Sequence, residues 1–462
     1  MKDELMSIEN LKNELGIHNQ EILVGSSKIQ RDNEADFNPT EFSILNMEHN
    51  QAYKYFIKNN PSSIPDVILE DFKALYRDYR KEWIRRSKIF LEEDFGKEMN
   101  PLCVDIETAA ICDLACSFCF RDLFFTPDTI IDLSFAKKLI DQAADMQVPS
   151  IKLNWRGEPL LYPKITELIS YAKQKGILEV MINTNATTLT EKKSKELIEA
   201  GLDVIIFSFD GGQEKTYEKM RPGRFSKNSF NIVYNNIKNF NKIKKQLNSP
   251  FPRSKIQMVL TNETWNEQVQ FFELFSGVVD EVTVTQYNER GGKIEDLNLK
   301  DQSIIKEYFL SNGLDEKTPY MKTADGKIFI SKERAVCAQP FQRLLVTYDG
   351  RVGMCCHDWG AQHAVGYASD KAYSNSNKDI ERVKARSKEN RPGFQTFNNA
   401  ISPKEYNDLP HKISTLKSIW NDKSIKSVRE EQIKSNADKV KICEKCSYKD
   451  AYNWELIYDP EI

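Results

Sequence analysis

Ile111-Cys112-Asp113-Leu114-Ala115-Cys116-Ser117-Phe118-Cys119-Phe120 places three of the chain's nine cysteines within eight residues. Thiolates at C-x-x-x-C-x-x-C spacing can hold three irons of a cubane iron–sulfur cluster, which ordinarily takes four Cys ligands. With no fourth thiolate nearby, one iron stays open to a ligand that is not protein. That is the logic of a catalytic metal site rather than a sealed structural one. Positions 112, 116 and 119 also share one face of a helix, where cysteines act as small core hydrophobes. The surrounding chain decides between the two readings.

Outward from the loop, Leu102–Glu107 reads as a strand that leads into it. Further strands are predicted at Ser150–Trp155, Glu179–Asn183, Val204–Phe209, Lys255–Thr261 and Glu281–Thr285. Between them, apolar residues recur at helical spacing, as in Ile165, Leu168, Ile169 and Ala172 or Phe230, Val233, Ile237 and Phe240, and Gly176 and Gly201 mark helix ends. Six alternating βα units predict an α/β fold, a partial parallel (β/α)6 barrel with helices outside it. Ligand sites in such sheets lie at the carboxyl ends of the strands, so the cysteine loop stands at that end.

Three regions are expected along the 462 residues: a mostly helical N-terminal extension over 1–100, the barrel over 101–310, and a small C-terminal unit over 311–462. In the first, Ile68, Phe72, Leu75, Tyr79 and Trp83 predict an amphipathic helix from about Asp66 to Leu91. Its other face mixes Arg77, Arg80, Lys81, Arg85 and Arg86 with Glu70, Asp71, Asp78 and Glu82, which reads as a salt-bridged surface rather than an RNA-binding stripe. The net charge of −3 gives no general pull toward nucleic acid, and no apolar run is long enough to span a bilayer. An odd cysteine count, clustered as C-x-x-x-C-x-x-C and C-x-x-C, suits metal or cluster ligation in a reducing cytoplasm better than disulfides.

Short motifs stand at the other strand ends. After the second strand comes Arg156-Gly157-Glu158-Pro159, after the third Asn183-Thr184-Asn185-Ala186, and after the fourth Ser208-Phe209-Asp210-Gly211 with Met220-Arg221-Pro222-Gly223 beyond it. Together with the cysteine loop, these resemble the motifs of the radical S-adenosylmethionine enzymes. The family's Gly-Gly-Glu-Pro has Arg156 for its first Gly here, and its Thr-Asn-Gly has Ala186 for its Gly. The resemblance implies a [4Fe–4S] cluster on Cys112, Cys116 and Cys119, with S-adenosylmethionine on the open iron. It implies cofactor contacts from Gly157 and Glu158 to the amine, from Asn185 and Ser208 to polar groups, from Arg221 to the carboxylate, and from backbone near Phe118 to the adenine. Reductive cleavage of the sulfonium would then yield a 5′-deoxyadenosyl radical that takes hydrogen from a substrate.

Cys337, then Gly350, Cys355, and finally Cys443-Glu444-Lys445-Cys446 form a second constellation. Its order resembles the SPASM and twitch extensions of the same family. The resemblance implies one auxiliary [4Fe–4S] cluster on Cys337, Cys355, Cys443 and Cys446, with no open iron and a role in electron transfer. Zinc suits the same ligand types, and Cys356 could replace Cys355. Leu344–Tyr348, Asp349-Gly350 and Arg351–Met354 predict a hairpin between these cysteines. Cys103 is expected to be a buried thiol; His357 and Asp358, beside the cysteines, are candidates for a ligand or proton carrier, though a lone His there is more often a second-layer or solvent-facing group.

The expected function is a radical S-adenosylmethionine oxidoreductase acting on a small molecule (a sugar, an aminocyclitol or a nucleotide-linked compound), served by an electron donor such as flavodoxin or ferredoxin. A maturase acting on a ribosomal peptide or partner protein, and a non-enzymatic cluster or zinc protein, are the alternatives. Residues 1–100 lack a clear strand-helix pattern of a peptide-binding domain, which favours the small molecule.

Overall fold

The strands, in chain order, are β1 (Ile29–Arg31), β2 (Cys103–Ile106), β3 (Ser150–Lys152), β4 (Glu179–Thr184), β5 (Val204–Ser208), β6 (Arg253–Leu260), β7 (Glu281–Gln286), β8 (Tyr320–Lys322), β9 (Ile328–Arg334), β10 (Arg343–Val346), β11 (Arg351–Gly353), β12 (Gly366–Tyr367) and β13 (Tyr452–Tyr458). This computed structural model describes residues 29–31, 38–86, 99–122, 126–287, 299–315, 318–323, 325–361, 363–372, 412–440, 442–444, 446, 448 and 451–461. Strands β2 to β7 are parallel neighbours in sequence order, the six-unit α/β barrel sheet that the alternating pattern predicts.

Each connection carries at least one helix. Among the described residues the helices are α1 (Pro39–Leu45), α2 (Gln51–Asn59), α3 (Pro65–Arg85), α4 (Leu133–Asp145), α5 (Ile165–Gln174), α6 (Glu191–Glu199), α7 (Glu214–Met220), α8 (Phe230–Gln246), α9 (Gln268–Phe275), α10 (Leu299–Asn312), α11 (Gln339–Gln342), α12 (Leu416–Trp420) and α13 (Lys423–Ile433). Their apolar faces meet one face of the sheet. Ile151, Val180, Ile182, Ile205, Phe207 and Ile256 are wholly buried there with Leu139, Leu168, Leu197 and Ile237. The alternate residues Lys152, Met181, Asn183, Ile206, Ser208, Lys255 and Gln257 point the other way and stay partly exposed. Two-residue alternation thus separates a dry outer layer from a lumen that solvent reaches.

Two features extend this barrel. Strand β10 pairs in parallel with β2, Arg343 opposite Cys103 and Val346 opposite Ile106, and β11 and β12 follow antiparallel. The predicted hairpin therefore exists, and it continues the barrel sheet rather than standing apart. Leu344 and Val346 join the same core as Val104 and Ile106. At the opposite edge, β1 adds antiparallel to β7. A strand of three residues is too short to show alternation in sequence, so the N-terminal region read as helical alone.

Helix α3 closes the amino-terminal end of the barrel. Phe72, Tyr76 and Tyr79 are its buried residues, while Leu75 is 54% exposed. The seam runs 72-76-79-83, one residue off the predicted Leu75, because steps of four and three track the 3.6-residue turn. Tyr76 and Tyr79 donate to the two oxygens of Glu179 at 2.6 and 3.1 Å, and Arg343 lies over the Trp83 ring at 5.1 Å. The predicted continuation to Leu91 lies outside the described residues. None of the described helices is long and apolar enough to cross a membrane.

Candidate active site

The cysteine loop leaves β2 at the carboxyl edge of the sheet and is pinned there by the segment that follows α7. Ala115 N–H donates to Pro222 O at 2.7 Å, Ser117 N–H to Met220 O at 3.1 Å, and Arg224 N–H to Asp113 O at 2.7 Å. Arg224 also donates to Cys112 O at 2.8 Å and pairs with Asp128. The Met220-Arg221-Pro222-Gly223 stretch therefore shapes the loop from outside. Helix α7 is itself fixed at its start, where Glu267 accepts from Gly212 and Gln213 N–H and from the Thr216 hydroxyl. Tyr217 stacks on Phe209 at 4.1 Å.

Arg221 is not a lone surface charge. It is buried, paired with Asp210, and directs Nη1 toward the Cys116 sulfur at 3.9 Å while its guanidinium lies 5.6 Å over the Phe118 ring. Asp210 is held in turn by Val259 N–H at 2.6 Å. On the other side, Asn185 donates from Nδ2 to Asp113 at 2.8 Å and approaches the Cys112 sulfur at 3.9 Å. Thr187 closes on the other Asp113 oxygen at 2.5 Å. Asp113 and Thr187, ordinary-looking in sequence, thus lock the loop to the end of β4. Ala186, where the resembling motif has Gly, adopts φ +58° and is fully buried. The left-handed backbone is kept without the residue that adopts it freely.

Glu158 links three strand ends. Its oxygens accept from Leu160 N–H at 2.9 Å, the Thr184 hydroxyl at 2.7 Å and Asn185 N–H at 2.8 Å. Burial pushes its carboxyl up to about 7, against the pull of these donors. Gly157 lies at φ +70°, and a side chain there would strike the Ala109 and Ile111 carbonyls. Ser208 ends β5 on the partly exposed lumen face. The departure at Arg156 has a partner that sequence alone did not reveal. Its guanidinium forms a two-pronged ion pair with Glu107, both residues at 1% exposure or less, and Glu107 also accepts from Tyr348 N–H at 3.1 Å.

The C-terminal cysteines converge. Cys337, Cys355, Cys443 and Cys446 line one cavity with Arg334, Met354, Gln432 and Tyr448. Donors already address the sulfurs: Gln432 Nε2 to Cys443 at 3.3 Å, His357 N–H to Cys355 at 3.3 Å and Tyr448 N–H to Cys446 at 3.3 Å. Cys356 follows directly and touches the barrel, its carbonyl accepting from Trp155 Nε1 at 3.4 Å. The His357 ring lies 4.4 Å from Tyr448, and Asp358 is buried and accepts from His363 N–H. Trp359 packs on Phe120, beside Cys119. Cys103 is buried with its thiol on Asp105 at 3.1 Å. None of the nine cysteines is in a disulfide.

Both cysteine sets offer soft thiolate donors of the kind that iron and zinc take. Burial pushes the Cys112 thiol upward and the Cys116 thiol up to about 12, Arg221 opposing the latter. The Cys443 thiol is likewise pushed up to about 12 by burial and by Cys446. Buried thiols in such company are inert until a cation lets them ionise. N–H donors aimed at the sulfurs are the environment that cluster thiolates use. Among the described residues no three or more His, Cys, Asp or Glu gather at the spacing of a single metal ion.

Residues 106–275 match the family described as the Radical SAM superfamily. A tungsten-containing aldehyde ferredoxin oxidoreductase cofactor-modifying protein from Pyrococcus furiosus is 23% identical over 54% of this chain and 69% of its own length. A GTP 3',8-cyclase from Chlorobaculum tepidum is 34% identical over 30% of this chain, a match that takes in only 42% of that enzyme. Among solved structures, Streptococcus suis SuiB bound to precursor peptide SuiA aligns with a TM-score of 0.44 and 15% identity, over 84% of this chain and 76% of its own. Residues 106–275 of this chain are thus similar to the radical SAM superfamily.

Proposed function

We propose that this protein is a radical S-adenosylmethionine oxidoreductase acting on a small molecule, with an auxiliary cluster held by Cys337, Cys355, Cys443 and Cys446. The observation that carries the reading is the gathering of those four thiols, from three separate stretches of the sequence, around one cavity beside the barrel. Cys112, Cys116 and Cys119 would hold the first cluster, which with S-adenosylmethionine supplies a hydrogen-abstracting radical. The chain's own residues define the rest. Arg221 offers its guanidinium to a carboxylate while Asp210 fixes its position. Asn185 keeps Asp113 and the cysteine loop in place. Gly157 allows backbone to approach closely, and Glu158, its oxygens already engaged, holds that backbone in register. Ser208 and Asn183 face the lumen. The Phe120–Trp359 contact joins the first loop to the segment of the auxiliary cysteines.

The small-molecule reading draws support from α3, whose aromatic face is committed to the barrel floor, and from relatives named for a cofactor and for GTP. Electrons would come from a flavodoxin- or ferredoxin-type donor.

Anaerobic reconstitution tests the proposal. With dithionite and S-adenosylmethionine the protein releases 5′-deoxyadenosine, and Cys112→Ala abolishes the release. Iron analysis gives about eight irons per chain, falling to about four in Cys337→Ala. Wild-type protein that releases no 5′-deoxyadenosine ends the catalytic reading, and about four irons in the wild type ends the auxiliary cluster.

A further inference from the structure

The barrel lumen contains a positive charge that the cysteine chemistry does not use. Lys152 ends β3 on the lumen face, opposite Asp105 on β2 and Met181 on β4 in the sheet register. No described residue hydrogen-bonds or ion-pairs with its ammonium. Arg343, at the start of β10, is the neighbouring cation. It reaches Asp105 Oδ2 at 3.3 Å, and its Nε is buried without a hydrogen-bond partner. The groups facing Lys152 are Asp105, Arg343 and the thiols of Cys356 and Cys103. Two cations therefore share one carboxylate.

Strand composition alone does not require this. A buried lysine that only fills space costs desolvation unless an anion or hydrogen bonds compensate it. Elsewhere in this barrel the compensation is present: Lys173 has Asp203 at 2.7 Å, and Lys255 pairs with Glu281. Lys152 stands out because its one facing carboxylate, Asp105, is shared with Arg343 and makes no direct ion pair with the Lys152 ammonium, while its surroundings are reachable. Lys152, Met181, Asn183, Ile206 and Ser208 are all partly exposed along the lumen. Burial pulls the Lys152 ammonium below the ordinary lysine range, and Asp105 opposes the shift.

We propose that Lys152, with Arg343 beside it, binds an oxyanion of the substrate, a carboxylate or a phosphate, inside the barrel. The inference rests on the enzymatic reading above and narrows its substrate to anionic small molecules. An anion at this depth lies below the strand ends. The remainder of the molecule then extends toward Asn183, Ser208 and the cysteine loop, where hydrogen abstraction would occur. Asp105 serves as a positioning residue by holding Arg343 at the lumen wall.

Equilibrium dialysis of the anaerobically reconstituted full-length protein against phosphate and pyrophosphate, and separately against citrate and acetate, tests this. We expect saturable binding of one class, phosphate-type or carboxylate-type, which identifies the source of the oxyanion. Lys152→Met weakens it about tenfold or more, as loss of a charge-assisted contact does, and Lys152→Arg retains it. An unchanged thermal midpoint in Lys152→Met shows that the fold persists. Absence of saturable binding by every probe, or equal binding by Lys152→Met, overturns the proposal. Oxyanion binding that depends on Lys152 in a protein that releases no 5′-deoxyadenosine keeps the anion site and removes the radical reading. Release of 5′-deoxyadenosine with binding indifferent to Lys152 does the reverse.

Discussion

Arg156→Met is the most informative single change because it removes the cation from a pair that water does not reach. Glu107 and Arg156 are at 0% and 1% exposure, and the guanidinium contacts both carboxylate oxygens. Removing one member of such a pair leaves a buried charge uncompensated and costs about 3–5 kcal/mol. Glu107 keeps one donor, Tyr348 N–H at 3.1 Å, which places the expected loss toward the lower end of that range. In calorimetry this is a fall on the order of 10 °C in the midpoint of the unit that contains β2 and β3. The double variant Glu107→Gln/Arg156→Met removes the stranded charge, while the amide oxygen that replaces the carboxylate can still accept from Tyr348. It should recover most of the loss, with a coupling energy of roughly 2 kcal/mol or more. Hydrogen exchange provides a local check, since the pair joins the end of β2 to the loop after β3 and Glu107 in turn accepts from Tyr348 N–H in the turn after β10. Amides near 107–111 and 346–350 should exchange faster in the single variant and return toward wild type in the double. If Arg156→Met melts within about 0.5 kcal/mol of wild type, or the double variant loses as much as the single, the pair does not hold these strand ends together.

Ala186→Gly should raise stability by up to about 1 kcal/mol, because Ala186 sits at φ +58° and a left-handed L-residue carries about 1–2 kcal/mol of strain; a loss of more than about 1 kcal/mol in thermal melting would mean that the buried methyl matters more than the backbone. Tyr76→Phe and Tyr79→Phe each take a donor from the buried Glu179 carboxylate and should cost roughly 1.5–3 kcal/mol, read as earlier unfolding of the N-terminal helices by limited proteolysis. Glu158 has a folded carboxyl pKa of about 7 against about 4.3 when unfolded, so its contribution to cluster-free protein is full below about pH 4 and is lost as pH rises through 7. The interval amounts to about 3–4 kcal/mol at most, and Glu158→Gln should flatten the fall in thermal midpoint between pH 5 and 8; an identical slope in the variant refutes the assignment.

The parallel barrel was legible because its strands are buried on one face by helices that carry clean 3.6-residue patterns. Ile165, Leu168, Ile169 and Ala172 are all wholly buried, as their spacing implied. The cysteine motifs stood out in the sequence because C-x-x-x-C-x-x-C and C-x-x-C are local patterns. What stayed hidden depends on long-range pairing. Glu107 and Arg156 are 49 residues apart, and nothing in either neighbourhood announces the other. Asp113 reads as an ordinary loop acid until Asn185 and Thr187 close on it. Strand β10 read correctly as half of a hairpin, but a hairpin's sequence signal concerns its own turn and not which third strand its outer edge will meet.

The pairing of β10 with β2 also sets how the two cysteine sets stand relative to each other. Because β10 hydrogen-bonds to β2, the strand that launches Cys112 and the strand that leads through β11 to Cys355 are neighbours in one sheet. The shared edge fixes how the two cysteine loops are spaced. Trp155 on Cys356 O and Phe120 on Trp359 then brace the two loops beyond the strand ends. A separate C-terminal domain on a linker would leave the distance between the two cysteine sets to domain motion, whereas a continuous sheet makes it a property of the fold. Lys152 and Arg343 sit on the strands that flank β2 on either side. The same sheet that sets the two cysteine groups therefore also sets the cationic floor from which a substrate would reach them.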